Sequence, residues 1–78
     1  MIPTEVEIRV GVDGTITPLS FSWQGSLLRI AQIGRTWADA DGDHWLVMTA
    51  LSNRTYELLR TPDRVWMVKP GNYRPAMA

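Results

Sequence analysis

The sequence predicts an all-β fold: a small, strongly bent antiparallel barrel of SH3-like type with five or six strands. Three observations lead there. Apolar and polar residues alternate with a period of two in several short runs, the spacing that puts one row of side chains on each face of a pleated strand. Turn dipeptides and prolines separate those runs at intervals of about ten residues, the rhythm of a sandwich or barrel. The chain is also short, at 78 residues with four tryptophans and no cysteine. A core of that size supplies only about 3–5 kcal/mol net unless something staples it. Neither a disulfide nor a histidine-built zinc site is available. Aromatic rings, each able to bury roughly 150–250 Å², are one way to make so short a chain dense. A homodimer is another.

Residues 4–12, TEVEIRVGV, alternate with Val6, Ile8, Val10 and Val12 on one face and Glu5, Glu7 and Arg9 on the other, a half-buried strand. Asp13-Gly14 follows as a hairpin turn, because both residues tolerate positive φ. Thr15–Thr17 leads into Pro18, which lacks a ladder donor and marks an edge, a strand start or a crossing loop. Phe21 to Trp37, FSWQGSLLRIAQIGRTW, organises the rest as two arms joined at Gln24-Gly25. Phe21 and Trp23 share a face, as do Leu28 and Ile30. The next large apolar residue, Ile33, falls three positions on, so a β-bulge near Ala31-Gln32 is needed to return it inward. Phe21, Trp23, Ile30, Ile33 and Trp37 are the expected core, with the three rings meeting inside a curled sheet.

Ala38–Asp43, ADADGD, reads as a polar loop, with room for one helical turn over 35–40. His44–Leu51 is apolar at both parities, with Trp45 and Val47 on one side and Leu46, Met48 and Ala50 on the other. Such a strand is covered on both faces or meets a partner. A flatter open sheet dimerising through residues 44–51 is therefore the alternative architecture. Ser52-Asn53 marks a turn and Arg54–Arg60 the next strand. Thr61-Pro62-Asp63-Arg64 turns with proline at its favoured early position. Val65–Lys69 closes the run. Residues 1–70 make one domain, and 71–78 form a tail with little to pack.

Charge excludes some functions and points weakly to others. The formal balance is zero, so no global basic field advertises nucleic acid or membrane. Residues 1–43 hold six acids and three bases, whereas 44–78 hold two acids and five bases, nearly all arginine. Arginine suits planar and stacked contacts, so Arg54, Arg60, Arg64 and Arg74 with Tyr73 form the candidate binding set, beside Trp45, Tyr56 and Trp66. Bases stacked on aromatics next to arginines that track phosphates are how small barrels hold single strands. The N-terminus lacks the pattern of a signal peptide, and no apolar run approaches the roughly 20 residues of a membrane span. The expectation is a cytoplasmic protein.

Chemistry is sparse. A calcium loop opened at Asp39 would place glycine sixth and glutamate twelfth, where His44 and Ala50 stand, so ADADGD is read as an acidic turn. His44 is the sole histidine, and Asp43 beside it points to the opposite face. The serines lack a nucleophile-elbow setting, and the glycines never fall in phosphate-loop spacing. Glu57, between Tyr56 and Leu58, is either a buried carboxylate or an ordinary member of a solvated face. No cofactor, metal, small-molecule substrate or enzymatic activity is expected.

The spacing Phe21-x-Trp23-x-Gly25-x-x-Leu28-x-Ile30-x-x-Ile33-x-x-x-Trp37, followed by Tyr56-Glu57-Leu58-x-Arg60 and Trp66-x-Val68, resembles a family of small bacterial domains of unknown function. Its members stand alone or form the C-terminus of error-prone, Y-family-like DNA polymerase subunits. Leu28 stands where the family has an aromatic, and Asp39, Asp41 and Asp43 dilute its basic character. The resemblance implies an accessory role beside DNA repair or translesion synthesis, with single-stranded DNA or a polymerase-like protein as partner. It implies no catalytic residues. The alternative from the residues themselves is a protein-interaction or homodimeric assembly module, motivated by the outer row Leu46, Met48 and Ala50.

Overall fold

A computed structural model describes residues 1–52 and 54–71. The turn position Asn53 and the tail from residue 72, with Tyr73 and Arg74, lie outside the described residues. The described chain forms seven strands: β1 (Ile2–Pro3), β2 (Val6–Val10), β3 (Ile16–Trp23), β4 (Ser26–Asp39), β5 (Gly42–Thr49), β6 (Thr55–Arg60) and β7 (Trp66–Pro70). They build one antiparallel sheet in the order β1-β7-β6-β5-β4-β3-β2. β1 and β2 end that order on opposite sides, yet only Thr4 and Glu5 separate them in sequence. The sheet must therefore curl until one short segment touches both edges. Pro3 pairs with Met67 and Val6 with Phe21. Between them the Thr4 N–H donates to Trp66 O at 3.0 Å, and the Ser22 N–H donates to Glu5 O at 3.1 Å. The expected all-β curl is present and the flat alternative is not. The strand count is seven instead of five or six, because Ile2–Pro3 makes a ladder of its own too short to show as alternation.

The turns follow local chemistry. Gln24 and Gly25 take φ values of 50° and 82° while Trp23 faces Ser26, so the hairpin closes through the two-residue type I′ turn whose twist matches the strands. At Asp13-Gly14, Asp13 Oδ1 accepts the Thr15 N–H at 2.9 Å. The Thr61 carbonyl accepts the Arg64 N–H at 2.8 Å, with Pro62 at the early position. Two expectations need correction. Pro18 is interior to β3, buried and opposite Ile8 at a register shift after Glu7, where an irregular ladder can forgo its missing donor. The loop expected over Ala38–Asp43 shrinks to Ala40-Asp41, since Asp39 already faces Gly42, and residues 35–39 are strand with no helical turn.

Phe21, Val47, Tyr56, Leu58 and Val68 are the buried core, with Val6, Trp23, Leu28, Ile30, Ile33, Trp45 and Trp66 packed against it. Tyr56 receives Phe21 and Trp23 edge-on, at ring separations of 5.1 and 5.3 Å. Such pairs add about 0.5–1.5 kcal/mol each beyond their buried area. The bulge expected near Ala31-Gln32 is present: the ladder slips between Ile30 and Gln32, and Ile33 returns inward opposite Val47. A second slip lies between Ile33 and Thr36, where β5 advances from Val47 to Trp45, two positions, while β4 advances three. One extra residue reverses parity. Trp37 therefore points outward opposite His44 and does not join Phe21 and Trp23 in the core. On β2, Val10 is exposed and Val12 lies beyond the strand, fully exposed, so the inward row stops at Ile8.

Candidate functional site

The second slip in β4 creates the most charged cluster of the molecule. With Trp37 turned out, its ring stacks on His44 at 4.8 Å and 5° between planes. His44 is 6% exposed, and both of its nitrogens meet carboxylates. Nδ1 lies 2.8 Å from Glu57 Oε2 on β6, and Nε2 lies 2.9 Å from Asp39 Oδ1 at the end of β4. An ionised carboxylate only accepts hydrogen bonds, so a ring that satisfies two of them carries both protons. Burial alone pushes the His44 pKa down, but the bonds to Asp39 and Glu57 more than offset it, and the net direction is up. The bond from His44 in turn holds the Asp39 carboxyl below the usual carboxylate range, helped by the Asp41 N–H that donates to it at 2.8 Å. Lys69 Nζ lies 3.7 Å from the other oxygen of half-buried Glu57, and the Arg35 guanidinium sits 5.0 Å from the Trp37 ring centre. The cluster ties β4, β5, β6 and β7 across the outer face of the sheet. With both nitrogens occupied, the imidazole has no lone pair to offer a substrate. Asp43, as expected from strand parity, is not its partner.

The candidate arginines do not converge. Arg60 is half-buried at the inner end of β6, in register with Asp43 and Trp66. Trp66 lies 5.1 Å from Trp45. Arg64 is exposed on the neighbouring β6–β7 turn. Arg54 precedes β6 at its other end, about 20 Å from Arg60 at the usual strand rise. Tyr73 and Arg74 lie outside the described residues. Of the aromatics, Tyr56 is buried and offers no stacking face, while Trp45 and Trp66 are half-buried.

A gap in the ladder lies beside Trp45 and Arg60. β3 and β4 pair only over Ser20–Trp23 and Ser26–Arg29. Beyond that point β4 pairs with β5 alone, and β3 turns to β2. The strands splay apart around an open hollow of about 780 Å³ lined by Thr17, Ile33, Thr36, Trp45, Asp43 and Arg60, among others. The far edge of β4 over residues 33–38 and the facing edge of β3 have no ladder partner among the described residues. On the outer face, Leu46 and Met48 line a second hollow of about 490 Å³ with Gln32, Gly34, Arg35 and Thr55. These two are the outer row expected from the sequence, although Ala50 falls past the end of β5.

Sequence reasoning missed the His44 cluster. Its partners stand 5 and 13 positions away, and only the ladder register and the second bulge bring them together. No family model, curated protein or solved structure matches the chain.

Proposed function

We propose that this domain is a non-catalytic interaction module that holds a segment of a partner protein in the hollow between β3 and β4. One observation carries the reading: a solvent-open hollow is flanked by two strand edges that have no ladder partner among the described residues. Unsatisfied main-chain groups beside an apolar floor are what strand-adding recognition domains present. The sole histidine is engaged on both sides, which fits binding better than proton transfer. A place beside DNA repair polymerases, implied by the sequence resemblance, agrees with a docking role.

A second reading, single-stranded DNA at the same end of the barrel, is favoured by Trp45, Trp66 and Arg60 lying together. Asp39, Asp41 and Asp43 on the adjoining turn oppose it, as does the distance of Arg54. The two readings separate in a fluorescence-anisotropy titration with a labelled oligo-dT strand at low salt. The protein-binding reading expects no saturable binding. Tight binding that weakens steeply with salt, and is lost in Arg60→Ala, would replace it with the DNA reading.

A further inference from the structure

We infer that the hollow takes an extended peptide that adds a strand to the free edge of β4, with a basic residue at the end nearest the β4–β5 turn. This rests on the protein-binding reading above and names what the partner segment must be. The β4 edge from Ile33 to Ala38 spans about 20 Å at strand rise, room for roughly six extended residues. It carries one charged residue, Arg35, and no proline. The outer edge strand β2 carries exposed Glu7 and Arg9 and a register shift, the usual devices against unwanted pairing. The β4 edge also bears a register shift, between Ile33 and Thr36, but it carries a single charge and borders the hollow, which makes it the better template.

The other wall selects the form of the occupant. β3 and the Gly14–Thr17 segment line the hollow opposite β4. A second folded copy offering its own sheet edge would meet that wall, whereas a single unpaired strand fits between. Because β3 and β4 are antiparallel, a strand lying antiparallel to β4 runs parallel to β3. Side chains alternate along the added strand. One row faces Ile33, Thr36 and Trp45 and should be apolar or β-branched. At the turn end, exposed Asp43 lines the hollow beside half-buried Arg60, its cross-strand neighbour, and Asp41 lies exposed on the adjoining turn, while Asp39 is already bonded to His44. A lysine or arginine there gains complementarity that a nucleic-acid phosphate would not.

The test is selection from a random linear heptapeptide library against the intact chain, followed by titration of the selected peptides into isotope-labelled protein. The expected peptides alternate apolar and polar residues, carry a terminal base and bind one to one. They protect from exchange those amides of residues 33–38 that point away from β5, which are open in the free protein. Ala38→Trp, at an exposed position lining the hollow, should weaken binding at least about tenfold. Asp43→Arg should weaken base-ended peptides about 3–10-fold. Peptides that bind but perturb Leu46 and Met48 instead, or bind both variants as well as the parent, would overturn the β4 site and leave the protein-binding reading standing. A library yielding no saturable peptide, or a chain whose 33–38 edge is covered in a dimer by light scattering, would remove both.

Discussion

Replacing Glu57 by glutamine tests the charged cluster most directly, because the change keeps volume and removes only charge. In the parent, Glu57 Oε2 accepts from His44 Nδ1 at 2.8 Å, and the carboxylate is only 15% exposed, so solvent screens it little. A hydrogen bond between charged groups contributes about 1.5–3 kcal/mol, and a neutral one about 0.5–1.5 kcal/mol. Glutamine's carbonyl can still accept from Nδ1, so the net loss is about 1–2 kcal/mol while His44 is protonated. Lys69 is half-exposed at 3.7 Å and adds a smaller term. The pH dependence carries the sign. His44 titrates higher in the folded chain than in the unfolded one. Its contribution is complete below the unfolded value of about 6.5 and disappears as pH rises through the folded pKa. The Glu57→Gln deficit should therefore be largest near pH 5.5 and shrink above the folded pKa. Urea unfolding followed by tryptophan fluorescence reads the deficit. The single histidine gives one NMR titration curve, and its pKa should fall in the variant. A deficit independent of pH from 5.5 to 9, or an unchanged His44 pKa, would refute the doubly bonded imidazolium.

Other substitutions probe the fold. Asp39 titrates below its unfolded value through its bond from His44, so its contribution is present above about pH 4 and is lost as pH falls through the lowered pKa; Asp39→Asn should therefore flatten the loss of stability below about pH 4, read in the same denaturation series extended into acid. Phe21→Ala should cost about 3–5 kcal/mol, comparable with the whole net stability of a domain this size, and leave the chain unfolded by circular dichroism at 25 °C. Gly42 sits at φ 135°, and a Cβ there would land on the Arg60 carbonyl. Gly42→Ala should cost at least about 1–3 kcal/mol and broaden the His44 resonances, since Gly42 opens the hairpin that carries them. Arg64 takes φ 67° without being glycine. Arg64→Gly should therefore gain up to about 1 kcal/mol, seen as a raised melting temperature.

What the sequence made legible was whatever depends on near neighbours. The Gln24-Gly25 turn, the Asp13-Gly14 turn and the Pro62 turn each follow from two or three residues whose backbone preferences act locally. The bulge before Ile33 was legible too, because a large apolar residue stood three places from Ile30 where two was expected. The second bulge left no such mark. Gly34, Arg35 and Thr36 contain nothing that must be buried, so the pattern reads equally well with Trp37 inside or outside. Only the size of Trp37 favours the inside. Everything built on its true position was invisible for the same reason, including the His44 stack and the Asp39 and Glu57 contacts. The β3–β4 gap was hidden differently: period-two alternation says which face a side chain takes but not where a strand changes partner.

The cluster and the gap have a common origin in β4. Its first four residues pair with β3 and its last ten with β5, and both irregularities fall in the second part, after β3 has been left behind. Extra residues bend and twist a strand, and the bend accompanies the departure of β4 from β3. The same slip that helps leave an edge open turns Trp37 outward. An open edge next to a hairpin end would fray unless something pinned that end. His44 does so, holding Asp39 at the tip of β4 and Glu57 on β6 with one buried ring, while Trp37 covers it. The loosest part of the ladder and the most tightly bonded side chain are therefore neighbours by necessity: the edge can remain unpaired because the strand that bears it is fastened from the outer face.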